Sequence, residues 1–175
     1  MVDKVSLKTI PIEVTTIGNV EAYATVSVKA QVSGPLLEAR FEQGAFVRKG
    51  QVLFKIDERP FQADLERTQA ALARDKAVAA NNRVDASRYK QLFAEGIVPE
   101  QQVNSFVSAA DAADALVRSD EAAVKTAQLN LGYCTISAPI DGHTGSLMVQ
   151  PGNLVRANDV PMVVINQINP VYVNF

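Results

Sequence analysis

The sequence has 175 residues, of which 47% are hydrophobic and 21% charged, proportions typical of a folded protein. Its 17 basic and 19 acidic residues give a formal net charge of −2, so a nucleic-acid-binding surface is not expected. The single Cys and single His exclude an internal disulfide, a Cys/His zinc site and a His-dependent nucleophile, unless a second chain contributes. The sequence offers no candidate catalytic, cofactor or metal site.

The first part of the chain predicts short β-strands joined by turns. β-Branched residues alternate with polar ones across residues 5–56, and glycines interrupt the pattern. The residues before this pattern lack the basic and apolar regions of a signal peptide, and no run of roughly 18 to 20 apolar residues could span a membrane. We expect a chain that is either cytoplasmic or trimmed at this end.

The middle of the chain predicts two long helices. Residues 60–131 are rich in Ala, Gln and charged residues, and only Gly96 and Pro99 interrupt them after Pro60. A glycine followed closely by a proline ends one helix and permits the next, so an antiparallel hairpin follows. The first helix, at roughly 35 residues, would be on the order of 50 Å long.

Apolar residues repeat every seven positions in both predicted helices, which indicates coiled-coil packing. The predicted seam of the first helix consists of Ala63, Ala70, Ala77 and Val84. That of the second consists of Val103, Ala110, Val117, Val124 and Leu131, with Phe106, Ala113 and Ala127 at the companion positions. Such small residues bury little surface, so Leu65, Leu72 and Phe93 are expected on the outside, available to other helices. Asp120 at a seam position has no explanation from sequence.

The β pattern resumes at Cys134, and this second part repeats the first. Residues 26–56 align without a gap to residues 134–164. The identical pairs are Ala30/Ala138, Gly34/Gly142, Gly44/Gly152, Val47/Val155, Arg48/Arg156 and Val52/Val160. Similar residues fill the core-like pairs Val26/Cys134, Val28/Ile136, Val32/Ile140, Phe41/Val149, Phe46/Leu154 and Ile56/Val164. We predict two half-motifs related by a pseudo-twofold axis in one small sandwich, with the four paired glycines as structural turns.

These motifs resemble the periplasmic adaptor proteins, or membrane fusion proteins, of resistance-nodulation-division (RND) efflux pumps. The similar segments are residues 32–34, 42–57, 131–142, 152–159 and 168–175. The resemblance implies an α+β fold with a lipoyl-like (barrel-sandwich hybrid) domain made of half-motifs at residues 24–57 and 133–166. A coiled-coil helical hairpin at 58–132, with its tip near 95–99, separates them. Incomplete β-barrel entry strands are expected at 1–23 and 167–175.

The resemblance also implies a function in the Gram-negative envelope. A hexameric adaptor, anchored to the inner membrane outside this chain, would link an inner-membrane RND transporter to an outer-membrane duct for the export of drugs or other small molecules. In the family an Arg, a Leu and a Ser at the hairpin tip meet the duct, and Arg88, Leu92 and Pro99 occupy these positions. Pro99 departs from the family Ser and removes a hydroxyl. Gln101 could add a polar contact.

Other functions remain open from the residues. An adaptor of an ATP-driven or type I secretion exporter is the nearest alternative, and a lipoyl- or biotinyl-type carrier domain belongs to a different class. Carriers hold the modified Lys in the turn between half-motifs, which the helices replace here, and an intact-mass measurement would detect the modification. A cytoplasmic coiled-coil scaffold is a third possibility. His143 is expected in a turn and Cys134 as a small buried residue. Strand-like residues 171–175 suggest trimming at this end too.

Overall fold

The computed structural model describes residue 7 and residues 16–175, so most of the predicted entry strand at 1–23 lies outside the described residues. The first four strands are β1 (Asn19–Val28), β2 (Gly34–Ala39), β3 (Phe46–Val47) and β4 (Val52–Ile56). The helices α1 (Arg59–Ala94) and α2 (Glu100–Gly132) follow. The last strands are β5 (Thr135–Ser137), β6 (Gly142–Thr144), β7 (Leu154–Val155) and β8 (Val163–Asn174).

The strands form two four-stranded sheets, which together are called the sandwich below. One sheet has the order β1-β8-β6-β3 and the other β5-β4-β2-β7, and the described pairings are antiparallel. Exchanging each strand for its counterpart in the other half-motif converts the first order into the second. The sequence duplication therefore appears in the fold as an exchange of equivalent strands between two sheets.

Hydrogen bonds outside the regular ladders repeat in the same way. The Gly44 amide donates to the Thr144 carbonyl at 3.0 Å, and in the other half the Gly152 amide donates to Leu36 at 2.7 Å. Likewise the Gly50 amide donates to Ala138, and its counterpart Asn158 donates to Ala30, both at 2.8 Å. Each half-motif thus completes the turns of the other, and neither half closes a core alone.

Large apolar side chains fill the space between the sheets. Phe54, Leu36, Leu53, Ile56 and Met162 are the largest side chains with almost no exposure, and Phe41 packs edge-on against Phe54. Three of the six predicted core pairs, Val28/Ile136, Val32/Ile140 and Phe41/Val149, lie wholly in or against this core, and Val26/Cys134 and Ile56/Val164 contribute one member each. The pair Phe46/Leu154 is an error, because both side chains are more than half exposed on the short strands β3 and β7.

The paired glycines are required for two different reasons. Gly44 and Gly152 have φ angles of 79° and 91°, a backbone region that residues with a Cβ rarely adopt. Gly34 and Gly142 are not turn residues as predicted, because they are the first residues of strands β2 and β6, where the chain is crowded. A Cβ on Gly142 would stand 2.6 Å from the Asn166 carbonyl oxygen, and a Cβ on Gly34 would stand 2.8 Å from an Ile56 methyl carbon.

Both helices have the predicted extent, with 36 residues in α1 and 33 in α2. Gly96, at φ 73°, ends α1 in a Schellman motif. Its amide donates a hydrogen bond to the Phe93 carbonyl, and the Ile97 amide donates one to the Leu92 carbonyl. Pro99 is the extended N-cap residue of α2, immediately before its first turn. At the other end, the buried carboxylate of Asp57 accepts hydrogen bonds from the Arg59 backbone and guanidinium.

The helices pack along each other as a pair, called the helix pair below, and the predicted seam is right for α2 only. Buried residues of α2 are Val103, Ala110, Ala113, Val117 and Ala127. In α1 the predicted seam residues are exposed, and the buried residues are Thr68, Asp75, Ala79 and Ala86. Leu72 packs inside this contact and not on the outside. The real α1 seam contains polar residues, which is why apolar spacing did not reveal it.

Candidate functional site: the tip of the helix pair

The tip of the helix pair, defined here as residues 88–103, contains the four residues predicted to dock. Arg88 lies on the penultimate turn of α1 with a largely exposed side chain. Its Nη1 donates to Oδ1 of Asp85 at 3.1 Å, one turn earlier on the same helix. An exposed pair of this kind contributes little to stability, so the guanidinium can exchange this carboxylate for one on another molecule at small cost.

Leu92 is one turn beyond Arg88 and is only partly buried. Below it the two helices are held together by stacked rings of Tyr89 and Phe106, whose centroids are 3.9 Å apart. Phe93 and Ile97 expose 45% and 64% of their surface next to Leu92. Exposed apolar side chains and the Arg88 guanidinium thus occupy the same end of the molecule, and apolar area together with an Arg is common at protein interfaces.

Pro99 and Gln101 complete the tip from the α2 side. Both are exposed, and Pro99 caps a helix whose first turn carries the acidic residue Glu100. Neither makes a side-chain hydrogen bond within the described residues, so the Gln101 amide remains available to a partner. The structure thus brings Arg88, Leu92, Pro99 and Gln101 to one end of the molecule, on two different helices.

The remaining candidate groups have structural surroundings. His143 lies in strand β6 and not in the predicted turn, where its Nδ1 contacts the Gly44 carbonyl at 3.0 Å and its ring packs edge-on against Phe46. Cys134 is fully buried, as predicted, and burial raises the pKa of its thiol. Residue 7 and residues 16–175 contain no group of three or more potential metal-ligating His, Cys, Asp or Glu side chains.

Ion pairs between the helices hold the tip in position relative to the sandwich. Arg83 of α1 contacts Asp114 of α2 at 2.8 Å, and Lys76 contacts Glu121 at 2.9 Å. The Asp114 carboxylate raises the pKa of Arg83, so the guanidinium stays charged in the accessible pH range.

No helix in the described part of the chain has the length and hydrophobicity needed to cross a bilayer.

The arrangement has the properties of a binding surface and not of a reaction site. Its only ionised groups are exposed, and the apolar residues beside them form no enclosed cavity. Sequence reasoning identified Arg88 and Leu92 at the tip and expected Phe93 to be exposed, but it missed Ile97. The apolar character of Ile97 next to a helix end was the available signal.

Comparison with known proteins assigns the family. Residues 24–167 match the model for the barrel-sandwich hybrid domain of RND membrane fusion proteins. The multidrug resistance protein MdtA of Pectobacterium carotovorum is 37% identical over 167 residues, which cover 95% of this chain and 40% of that protein. MdtA of Klebsiella pneumoniae is 38% identical, with the same coverage. The chain thus spans about 40% of the length of the curated relatives it matches.

Solved structures show the same fold. A MacA–MexA chimera that contains the Pseudomonas aeruginosa MexA α-hairpin domain is 33% identical with a TM-score of 0.56, and the match covers 86% of this chain and 50% of that one. MacA from Actinobacillus actinomycetemcomitans is 26% identical with a TM-score of 0.65, covering 89% and 53%. Because the family model covers most of the chain, the protein belongs to the RND membrane fusion proteins of efflux pumps, whose role is structural and not enzymatic.

Proposed function

We propose that this chain is the central part of a periplasmic adaptor in a tripartite RND-type efflux pump. The adaptor links an inner-membrane transporter to an outer-membrane duct and so exports drugs or other small molecules. The observation that carries the proposal is the family match over residues 24–167. The names of the relatives, multidrug resistance proteins, support drugs as the exported class.

We also propose a role for each part of the chain. Half-motifs 24–57 and 133–166 form the lipoyl-like base, and residues 167–175, together with the described residues 16–23 of the predicted segment 1–23, lead into a β-barrel domain. The exposed Val171 and Val173 and the stacked rings of Tyr23 and Tyr172 on β1 and β8 support a continuation of the β structure there. Residues 58–132 are a left-handed coiled-coil hairpin with small residues at its seam.

Six copies form a ring in which the helix pairs stand side by side around a channel. Arg and Lys outnumber Asp and Glu on α1, whereas acidic residues outnumber basic ones on α2. When α1 of one copy lies beside α2 of the next, opposite charges meet at each contact.

The tip docks on the duct. Arg88 binds carbonyl or carboxylate groups of the duct, and Leu92 with Phe93 and Ile97 supplies the buried apolar area. Gln101 adds a polar contact, and Pro99 fixes the start of α2 without offering a hydroxyl. Duct recognition therefore depends on Arg88 more than on Pro99.

The carrier-domain alternative is disfavoured by the connection between the half-motifs. Strand β4 ends at Ile56 and α1 begins at Arg59, so no tight turn presents a Lys at this point. The nearest amine, that of Lys55, is paired with Glu58 at 3.3 Å. The intact mass of the purified chain is expected to equal the sequence mass, without a lipoyl or biotinyl increment.

The test of the proposal uses single-codon changes in the chromosomal gene of the source organism. Arg88→Asp reverses the charge of the docking residue and is expected to lower drug resistance to that of the deletion strain. The matched control is Arg67→Asp. Arg67 also lies on the exposed face of α1 with an ion pair to the Asp three residues earlier, but about 30 Å nearer the sandwich.

Three results separate the parts of the proposal, provided that immunoblots show equal protein amounts. If deletion of the gene leaves resistance unchanged, the efflux function is overturned. If deletion lowers resistance but Arg88→Asp does not, the adaptor function stands and the docking role of Arg88 is wrong. If Arg67→Asp has the same effect as Arg88→Asp, the tip has no special role.

A further inference from the structure

Two aspartates face each other inside the helix pair. Asp75 of α1 is one of the buried seam residues, with 5% of its surface exposed, and Asp120 of α2 lies within hydrogen-bonding reach of it. The neighbouring interhelical contact of Lys76 with Glu121 fixes this register. Adjacent turns of the seam are apolar, with Leu72, Ala79, Ala113 and Val117 packed together. The carboxyl groups therefore lie in a poorly hydrated layer.

The two carboxyl groups have unequal surroundings. The Arg74 guanidinium binds Asp75 with two nearly parallel hydrogen bonds, Nε to Oδ1 at 2.7 Å and Nη2 to Oδ2 at 2.9 Å. In contrast, Oδ2 of Asp120 is buried and receives no hydrogen bond from any described residue. In the sequence positions next to these aspartates, Lys76 pairs with Glu121 at 2.9 Å. The positive charge of Arg74 also acts on Asp120 and opposes the rise of its pKa, but it is the smallest of the four causes. Asp75 is thus held as an anion, and Asp120 has no cation of its own.

An ionised Asp120 would leave two carboxylates together and one buried oxygen without a partner. Carboxylates only accept hydrogen bonds, so the two groups can bond each other only when one carries a proton. Two carboxylates within hydrogen-bonding reach of each other are not both stable as anions in an apolar layer. A proton on Asp120 would supply the missing donor and remove the repulsion in one step.

We propose that Asp75 and Asp120 form a proton-binding site inside the helix pair, which takes up one proton from solvent and tightens the pairing of α1 and α2 as the surroundings acidify. The proton resides on Asp120 and is donated to the Asp75 carboxylate. The site is independent of the proposed efflux function, since it depends only on groups within the chain. It also explains why an acidic residue occupies a seam position of α2.

The electrostatics agree with this assignment. Burial, followed by the hydrogen bond to Asp75 and repulsion from it, raises the pKa of Asp120 above that of an ordinary aspartate. The hydrogen bonds from Arg74 lower the pKa of Asp75, although burial opposes them. The proton therefore goes to Asp120 first.

The sign of the pH effect follows from the proton count. Between the ordinary pKa of aspartate, roughly 3.9, and the raised pKa of Asp120, the folded chain holds a proton that the unfolded chain has lost. The stabilisation of the folded chain by Asp120 is complete below this range and is lost as the pH rises through the folded pKa of Asp120. The pKa of Asp75 is lowered, so the stabilisation by Asp75 is lost only as the pH falls below the ordinary pKa of aspartate.

The decisive experiment measures the titration of each aspartate in the 175-residue chain by ¹³C NMR of the carboxyl carbons. We expect Asp120 to titrate above the exposed Asp111 of the same helix, and Asp75 to titrate below it. In the Asp75→Asn variant the amide donates to Asp120, so the titration of Asp120 should move downward. A titration of Asp120 at or below that of Asp111 in the parent overturns the proposal.

Hydrogen exchange tests the coupling to helix pairing. After correction for intrinsic exchange, the protection of amides at Ala79 and Val117 should increase in the parent as the pH falls from neutrality toward the ordinary pKa of aspartate, roughly 3.9. Asp120→Asn carries a permanent donor and should show high, pH-independent protection. Asp111→Asn is the matched control and should follow the parent. If Asp120→Asn keeps the pH dependence of the parent, the site does not control the pairing.

Discussion

The sandwich and the helix pair are built from the same chain but are stabilised in different ways. The sandwich buries large side chains such as Phe54, Leu36 and Met162 between two sheets. The helix pair has a seam of alanines, a few valines and polar residues, and it adds ion pairs such as Arg83 with Asp114. One region therefore relies on buried apolar area, and the other on length, close backbone approach and charge. The difference suits a rigid base that carries an adjustable rod.

The largest expected effect on the free energy of unfolding comes from comparing two Leu→Ala variants, one in each region. Leu36→Ala removes a completely buried side chain of the sandwich and should lower the free energy of unfolding by about 2–5 kcal/mol. Leu72→Ala acts on a partly buried side chain of the helix pair, where the loss should be about 1 kcal/mol. Urea unfolding followed by circular dichroism measures both. Equal losses would contradict the contrast between the two cores.

Two glycines sharpen the comparison further. Gly142→Ala places a Cβ against the Asn166 carbonyl in the sandwich, which should cost about 1–3 kcal/mol of unfolding free energy. Gly132, the last residue of α2, has open space around its Cβ position, so Gly132→Ala should stabilise the chain by up to about 1 kcal/mol. The same urea experiment compares them. A stable Gly142→Ala variant would show that β6 can move away from β8.

The smallest effect is expected from the ion pairs of the helix pair. Arg83→Ala removes a largely exposed guanidinium that pairs with Asp114. The free energy of unfolding should fall by less than about 1 kcal/mol, and by less still at high salt. A double-mutant cycle with Asp114→Ala isolates the interaction. A coupling free energy well above this value would mean that charge, and not length, holds the rod together.

The β part was predictable because its residues carry the fold locally. The identical turn glycines and the alternating apolar residues of residues 26–56 and 134–164 recur at equivalent places in both sheets. Phe46 and Leu154 were misplaced because a similar residue pair need not be a buried pair. Short edge strands leave such side chains exposed, and the sequence does not reveal which strands are edges.

The helices show where sequence reasoning fails. Their existence and lengths follow from composition, and the α2 seam follows from its valines. The α1 seam does not, because alanines occupy several of its faces and a helix partner selects among them. The face of α1 that packs against α2 contains Thr68 and Asp75. Apolar periodicity cannot identify such polar residues as buried. At the tip, Arg88 and Leu92 were identified by resemblance and the exposure of Phe93 was predicted from the sequence, whereas the exposure of Ile97 required coordinates.

The helix pair leaves and re-enters the sandwich at two neighbouring strands, since Lys55 of β4 pairs with Thr135 of β5. In topological terms the whole excursion replaces the loop of a single β-hairpin. Insertion or deletion of one heptad in each helix would change the reach by about 10 Å while leaving every sheet contact in place. The length of the helix pair can therefore change without any change in the packing of the sandwich.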